Sequence, residues 1–219
     1  MRILIVAATT PEVAPIAAGL RRVADRGPRL EGYALRAHDV DILTTGIGMV
    51  ATAAWCSRVL TLAPYDLALN LGVCGSFDPA LEPGRVVHVV SDRIAELGAE
   101  DGEVFLAIEQ LGLPGEYDCL NQTPPANAAL ARLPRVRGIT VNTVHGNDGS
   151  IAETVRRFSP QVESMEGAAF MYACGIAGVA HAQVRAVSNV VERRNRAAWK
   201  LSEAVESLRR TAQDVLADI

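Results

Sequence analysis

Three polar side chains, Glu12, Glu166 and Asn189, stand where apolar runs of the sequence end. The clearest case is Glu166, because the residues from Gly167 to Cys174 are small or apolar and predict a buried helix. A carboxylate at the first turn of that helix faces unpaired backbone N–H groups, so a helix cap is one interpretation. The alternative is a ligand anchor, since a buried carboxylate needs a partner and two adjacent sugar hydroxyls would provide one.

Glu12 and Asn189 have the same two interpretations. Glu12 falls in the first turn of a helix that follows the first predicted strand, where it complements the helix dipole. It also lies just past the carboxyl end of that strand, where open α/β sheets bind their ligands. Asn189 follows the last predicted strand, where it either hydrogen-bonds its own backbone in a turn or faces a ligand. His145 also stands at a strand end, and a hydrogen-bonded structural histidine is its default explanation.

The elements that must position these side chains alternate between strands and helices. This alternation predicts an α/β enzyme with its site along one edge of the sheet. The predicted strands are 2–7, 30–36, 40–44, 66–72, 85–91, 136–144, 162–166 and 181–187, and the predicted helices are 11–24, 51–62, 151–157 (with Ser150 as its cap), 167–178 and 196–219. Residues 92–102 and 113–125 are predicted loops, with a short helix over 105–112 between them.

Composition excludes two classes of function. The content of 49% hydrophobic and only 5% aromatic residues is typical of a central sheet covered by Ala-rich helices. The formal net charge of -4, without a run of Lys or Arg, argues against nucleic acid as a partner. No apolar run is long enough to span a bilayer, which argues against a membrane partner. The 219 residues contain no Pro/Gly/Ser-rich linker, so we expect one domain over residues 1–219.

The cysteines and glycines give weaker signals. The chain enters a strand at its first residues and its cysteines show no metal-type spacing, which predicts a protein of the reducing cytoplasm. The four cysteines are Cys56, Cys74, Cys119 and Cys174. Gly46 and Gly48 match only half of a dinucleotide fingerprint. A close approach of the backbone to a ligand or a neighbouring strand explains these glycines better.

The arrangement resembles the nucleoside phosphorylase/hydrolase superfamily, in particular the branch that contains methylthioadenosine/S-adenosylhomocysteine nucleosidase and futalosine hydrolase. The resemblance covers essentially the whole chain and rests on residues 11–13, 70–75, 165–166 and 185–189. Residues 95–102 and 192–196 resemble the futalosine hydrolases specifically. The resemblance implies a three-layer αβα sandwich with a central mixed, mostly parallel sheet. It implies no metal or organic cofactor, and a homodimer or higher homo-oligomer whose partner subunit covers the 5′ side of the pocket.

The same resemblance implies a role for each matching residue. Glu12 matches the general base that activates water for attack at the anomeric carbon. Glu166 matches the carboxylate that holds the ribose hydroxyls, and Met165 packs against the sugar. Arg185 matches an arginine near the water and the carboxylate, and Gly75 lies where the backbone approaches the base.

Two positions depart from the adenine-specific enzymes of the family. Asn189 stands where those nucleosidases carry an aspartic acid facing purine N7. A 6-oxopurine presents two acceptors, O6 and N7, on that edge, and a carboxamide NH₂ offers two donors to them, so this residue favours hypoxanthine over adenine. Asn189 cannot deliver a proton and would stabilise the leaving base by hydrogen bonding. Val73 stands where the adenine-type enzymes carry a hydroxyl residue, which leaves the placement of the water open.

The resemblance thus implies hydrolysis of the N-glycosidic bond of futalosine, which would release hypoxanthine and dehypoxanthine futalosine and feed menaquinone synthesis. The first alternative is a nucleosidase that acts on methylthioadenosine, S-adenosylhomocysteine or aminofutalosine. A phosphorylase is disfavoured, because residues 46–49 and 72–75 carry no basic side chain for an anion pocket. A non-catalytic protein that binds purine nucleosides is the second alternative, and it would not need Glu12.

Overall fold

The computed structural model describes residues 1–113, 118–121 and 124–219. Its strands are β1 Arg2–Ala7, β2 Arg21–Gly27, β3 Leu30–Leu35, β4 His38–Thr44, β5 Leu67–Ser76, β6 Val86–Ile94, β7 Gly98–Asp101, β8 Val104–Ala107, β9 Asp118–Leu120, β10 Arg135–Thr140, β11 Val162–Ser164 and β12 His181–Val190. Its α-helices are α1 Thr10–Ala17, α2 Met49–Leu62, α3 Ala128–Ala131, α4 Asp148–Phe158, α5 Gly167–Ala177 and α6 Leu201–Ala217. Short 3₁₀ helices cover Ile108–Leu111 and Arg196–Ala198.

One mixed sheet carries the candidate site. Its strands follow the order β11-β10-β6-β12-β5-β1-β4-β3-β2, and β9 pairs with β6. The central strands β12, β5, β1 and β4 are parallel to one another, whereas β6 is antiparallel to β12. β10 and β11 run parallel to β6, and β11 also pairs with the end of β5 in the antiparallel sense. The strands β5, β12, β6, β10 and β11 therefore close into a ring.

Helices cover both faces of this sheet, so the predicted three-layer αβα architecture is confirmed. Because side chains alternate along a strand, Ile3 and Ile5 of β1 pack on one face and Leu4 and Val6 on the other. The first face packs against apolar residues of α1, α3 and α6. The second face packs against apolar residues of α2 and α5. Among the described residues, no helix combines the length and hydropathy needed to cross a membrane.

The first predicted helix is wrong beyond residue 17. The helix α1 ends at Ala17, and Arg21–Gly27 forms the strand β2, which pairs antiparallel with β3. Most of β2 is exposed and charged, so it lacks the alternation that identifies a half-buried strand. Hydrogen bonding to a neighbouring strand, which the local sequence does not reveal, decides its conformation.

The predicted loop over 92–102 is also wrong. Residues up to Ile94 continue β6, and Gly98–Asp101 pairs with Val104–Ala107 as a separate hairpin. The predicted helix over 105–112 is therefore reduced to the 3₁₀ turn Ile108–Leu111. Within the predicted loop 113–125, residues 118–120 form β9, and residues 114–117 and 122–123 lie outside the described residues.

Two helix starts also differ from the predictions. The last helix begins at Leu201 instead of residue 196, because a 3₁₀ turn precedes it. The helix α4 is capped by Asn147, not by Ser150, because Asn147 Oδ1 accepts the backbone N–H groups of Gly149 and Ser150.

Candidate active site

Glu12 joins the start of α1 to the strand β5. Its Oε2 accepts hydrogen bonds from the backbone N–H of Thr9 at 2.9 Å and from Thr9 Oγ1 at 2.7 Å. Its Oε1 accepts the backbone N–H of Val73 at 3.1 Å. An ionised carboxylate has about four lone-pair sites, so Oε1 keeps acceptor capacity for one more donor, such as a water molecule. The carboxylate is thus both held in place and available as a base.

Arg185 is fully buried behind this carboxylate. Its Nη2 donates to Asn70 Oδ1 at 2.5 Å, and its Nη1 contacts Glu166 Oε2 at 3.4 Å. A side chain on Gly72 would overlap the guanidinium, and its Cβ would lie 3.0 Å from Glu12 Oε1. Because Gly72 has no side chain, the carboxylate of Glu12 and the guanidinium of Arg185 can both lie against the same side of β5.

Glu166 does not cap the helix α5, although it occupies the N-cap position. The capping interpretation is wrong, because its side chain makes no hydrogen bond to the first turn of the helix. Its Oε1 instead accepts the backbone N–H of Gly48 at 3.2 Å, and its Oε2 pairs with Arg185. Gly48 adopts φ 98°, a conformation that favours glycine, and this turns its N–H toward the carboxylate. Met165, just before it, is half-buried.

Asn189 is half-buried and has a fixed amide orientation. Its Nδ2 donates to the carbonyl of Val190 at 2.9 Å, and its Oδ1 lies 2.8 Å from Ser188 Oγ. Because a carbonyl can only accept, the NH₂ group must be the one that faces Val190. The local hydrogen bond expected for a turn is thus present, and the second N–H of the amide is left for another acceptor. Gly75 pairs with Asn189 across the strands, and a Cβ on Gly75 would lie 3.3 Å from Nδ2.

A pair that the sequence did not reveal lies on the other side of Gly75. Glu163 pairs with Gly75 across β11 and β5, and its Oε2 lies 2.5 Å from His145 Nδ1. The second ring nitrogen of His145 lies 2.8 Å from Thr154 Oγ1. His145 is therefore a fully hydrogen-bonded histidine, as the default explanation expected. The apolar-polar alternation of the strand end gave no signal that these two residues would meet.

The structure brings Glu12, Arg185 and Glu166 together around Gly72. Asn189 lies next to Gly75, three residues further along β5, which corresponds to about 10 Å. Glu12 lies in the first turn of α1, which follows β1, and Asn189 lies near the end of β12, a strand in the same parallel set as β1, whereas Glu166 follows β11, which runs antiparallel to β5. Glu166 nevertheless reaches the same edge of the sheet, because its carboxylate accepts the N–H of Gly48, just past the end of β4, which is parallel to β1. In the part of the chain that the structure describes, no group of three or more His, Cys, Asp or Glu is placed to hold a metal ion.

Sequence and structure comparisons identify the family. The model of the phosphorylase superfamily matches residues 2–219. The futalosine hydrolase of Thermus thermophilus is 33% identical over 183 residues, which is 80% of this chain and 80% of the relative. That of Acidothermus cellulolyticus is 33% identical over 218 residues, or 94% of this chain and 86% of the relative.

A solved structure shows the same fold. The methylthioadenosine/S-adenosylhomocysteine nucleosidase of Colwellia psychrerythraea, in complex with adenine, superposes with a TM-score of 0.84. It is 21% identical, and the match covers 100% of this chain and 95% of the other. The whole length of the chain thus has a structural counterpart. The chain therefore belongs to the phosphorylase superfamily and, within it, to the futalosine hydrolase family.

Proposed function

We propose that the chain hydrolyses the N-glycosidic bond of futalosine and releases hypoxanthine and dehypoxanthine futalosine, a step of menaquinone biosynthesis. The observation that carries this proposal is the 33% identity to futalosine hydrolases over 80% and 94% of the chain. The whole chain would act as one domain. It would need no metal or organic cofactor, since the side chains around Gly72 and Gly75 supply a general base, a carboxylate for the ribose hydroxyls and a hydrogen-bond donor for the purine.

Glu12 is the general base of the proposed reaction. Its Oε1 accepts a proton from water while the water oxygen forms a bond to the anomeric carbon of the ribose. The amide of Val73 holds the same oxygen at 3.1 Å, so the carboxylate approaches from a fixed direction. Val73 contributes its backbone rather than a hydroxyl group, so Glu12 supplies the main hydrogen bond that orients the water.

Glu166 is the anchor for the ribose hydroxyls, which donate to its carboxylate oxygens. Arg185 pairs with it at 3.4 Å, and this compensates for the burial of a negative charge beside a second carboxylate. A carboxylate beneath the sugar also stabilises the positive charge that develops on the ring in an oxocarbenium-like transition state. Met165 packs against the sugar from the same turn.

Asn189 is the partner of the leaving base. When the C1′–N9 bond breaks, its electron pair moves into the purine ring and raises the negative charge on N7 and O6. The hypoxanthine anion then takes a proton from solvent, and Glu12 returns to solvent the proton that it took from the attacking water. The second N–H of the Asn189 amide, which no protein group accepts among the described contacts, donates to that edge. The backbone at Gly75 allows the base to approach this amide.

The alternative is a nucleosidase that releases adenine. The nucleosidase of Colwellia psychrerythraea, which was crystallised with adenine, supports the alternative only at the level of the fold. Hypoxanthine and adenine are easily separated, so one assay distinguishes the two functions.

The test is incubation of the purified protein with futalosine, 6-aminofutalosine and methylthioadenosine, with and without phosphate. We expect phosphate-independent release of hypoxanthine from futalosine as the fastest reaction. Faster adenine release would contradict the proposal, a requirement for phosphate would identify a phosphorylase, and binding without turnover would identify a nucleoside-binding protein. In Glu12→Gln we expect kcat to fall about 10²- to 10⁴-fold, because the base is lost. Glu153→Gln, which alters an exposed ion pair with Arg156, is the matched control.

The same family relationship leads us to propose a homodimer or higher homo-oligomer in which a partner subunit covers the 5′ side of the substrate. Ile47 and Val50 are 63% and 82% exposed, and they flank the Gly48 amide that holds Glu166. An exposed apolar surface beside a sugar-binding carboxylate is suited to a protein partner. Light scattering of the wild type and of Val50→Glu tests this, with loss of the oligomer expected in the variant. All four cysteines are free, which supports our proposal of a cytoplasmic location.

A further inference from the structure

A chain of buried polar side chains runs behind Arg185 and ends at Asp92. Arg185 Nε donates to Gln183 Oε1 at 3.0 Å, and Gln183 Nε2 donates to Asp92 Oδ2 at 3.0 Å. Asp92, Gln183 and Arg185 are each at most 1% exposed. An amide has one accepting end and one donating end, so the partner of its donating end decides which way the accepting end faces.

We propose that Asp92 is a positioning residue for the hydrolysis, acting through Gln183 to hold the guanidinium of Arg185 between Glu12 and Glu166. This inference rests on the proposed function. An ionised carboxylate only accepts hydrogen bonds, so it fixes Gln183 with its NH₂ toward Asp92 and its carbonyl toward Arg185. A reversed amide would place a donor against the guanidinium and release Nε from its partner.

The second oxygen of Asp92 reaches the helix that follows Glu166. Asp92 Oδ1 accepts from Thr140 Oγ1 at 2.9 Å, and Thr140 Oγ1 accepts the backbone N–H of Ala168 at 2.8 Å. One carboxylate is therefore connected both to Arg185 and to the first turn of α5. The ion pair beneath the proposed sugar site joins Arg185 to Glu166, which directly precedes α5.

Gly167 is the residue that allows this connection. A Cβ at Gly167 would overlap both Asp92 Oδ2 and Gln183 Oε1. The hydrogen bond between Asp92 and Gln183 thus lies directly against the backbone of the residue after Glu166. This close approach explains why the buried helix starts with glycine. From the sequence alone, Gly167 was only one of several small residues that predict a buried helix.

The charge of Asp92 is consistent with a role that needs an acceptor. Burial raises its pKa to about 6, against the lowering effect of hydrogen bonds from Gln183 and Thr140 and of the charge of Arg185. Among the described residues, the thiols of Cys119 and Cys74 also interact with it, and burial raises their pKa values to about 11 and about 12. Both thiols are neutral at pH 7, and a pKa of about 6 leaves Asp92 mostly ionised there, with the charge of Arg185 favouring the ionised form.

The test is a double-mutant cycle on the full-length protein with futalosine as the substrate. We expect Asp92→Leu to lower kcat roughly 100-fold, because misplacing a charged group by about 1 Å can cost that much, with a smaller change in KM. Arg185→Ala should lower kcat at least as far. If Asp92 acts through Arg185, the double variant has the kcat of Arg185→Ala within about twofold. Effects that multiply in the double variant would overturn the inference.

Two further variants keep the test decisive if Asp92→Leu does not fold. Gln183→Met removes the hydrogen bonds of the amide with Asp92 and Arg185 at a similar volume. Its kcat should fall like that of Asp92→Leu and combine with Arg185→Ala in the same non-additive way. Asp92→Asn keeps one acceptor oxygen, so its kcat should lie between those of the wild type and Gln183→Met. A kcat of Gln183→Met equal to the wild type would refute the chain of contacts.

The control is Asp41→Asn, which removes the charge of another buried carboxylate. Asp41 is fully buried, accepts from Tyr65 at 2.7 Å and from Arg2 Nη2 at 2.8 Å, and also pairs with Arg26. None of these described partners is a site residue. It should lose stability with an unchanged kcat. If it loses as much kcat as Asp92→Asn, general destabilisation explains the effect and the positioning role is refuted. A wild-type protein that releases no base would instead refute the proposed function.

Discussion

The substitution Asn189→Asp tests the basis of substrate choice, because it changes the number of donors and almost nothing else. In the wild type, one N–H of the amide donates to Val190 at 2.9 Å and the other remains for the base. In the variant, an oxygen occupies the place of Nδ2 and faces that carbonyl oxygen. An ionised aspartate offers no donor, and a protonated one offers a single donor that must serve either Val190 or the purine.

The magnitude follows from counting these hydrogen bonds. With futalosine as the substrate, the variant offers at least one hydrogen-bond donor fewer to the O6 and N7 edge of the purine. An unpaired acceptor in a half-buried pocket costs about 1–3 kcal/mol. This lowers kcat/KM for futalosine about 5- to 150-fold. The 6-amino group of aminofutalosine gains an acceptor in the same variant. The ratio of kcat/KM for aminofutalosine to that for futalosine should therefore rise by roughly 100-fold.

The assay measures kcat/KM for both substrates from the release of adenine and hypoxanthine, separated by chromatography. Asn189→Ala is the control, because it removes donor and acceptor together and should lower both rates by similar factors. The activity of Asn189→Asp on aminofutalosine should also decrease as the pH rises, because only the protonated carboxyl group can donate. An unchanged substrate ratio in Asn189→Asp would refute the assignment of Asn189 to the base.

Three other measurements follow from the packing around the site. In Gly72→Ala the new methyl group overlaps the guanidinium of Arg185, so we expect kcat/KM for futalosine to fall about 100-fold and unfolding to require about 1–3 kcal/mol less, by urea titration. Gly175→Ala meets no atom within 4 Å on an exposed part of α5, so it should keep full activity and gain about 0.5–1 kcal/mol; a loss of activity there would discredit the comparison. The pKa of Asp92 is raised from 3.8 to about 6 in the folded protein. Between these two pH values Asp92 is therefore protonated in the folded state and ionised in the unfolded state. Wild-type stability should accordingly fall as the pH rises from about 4 to about 6, by on the order of 3 kcal/mol, and Asp92→Asn should lack this fall when both are unfolded in urea across that range.

The local sequence was sufficient to predict the elements that are mostly buried. The strands β1, β4, β5 and β12 were predicted because parallel strands buried on both faces form continuous apolar runs. The helix α5 was predicted for the same reason, and it ends at Ala177 with Gly178 as its C-cap. The charged strand β2 and the hairpin of β7 and β8 were missed, because partners elsewhere in the chain decide their conformation.

The sequence alone determined that Glu12, Glu166 and Asn189 stand at junctions between secondary-structure elements, because chain connectivity and apolar patterning are local properties. Only the tertiary structure decided what those side chains contact. Glu166 reaches Gly48 and Arg185 instead of capping its own helix, across separations of 118 and 19 residues. Hydrogen bonds between residues so far apart depend on strand order and direction, which no local pattern encodes.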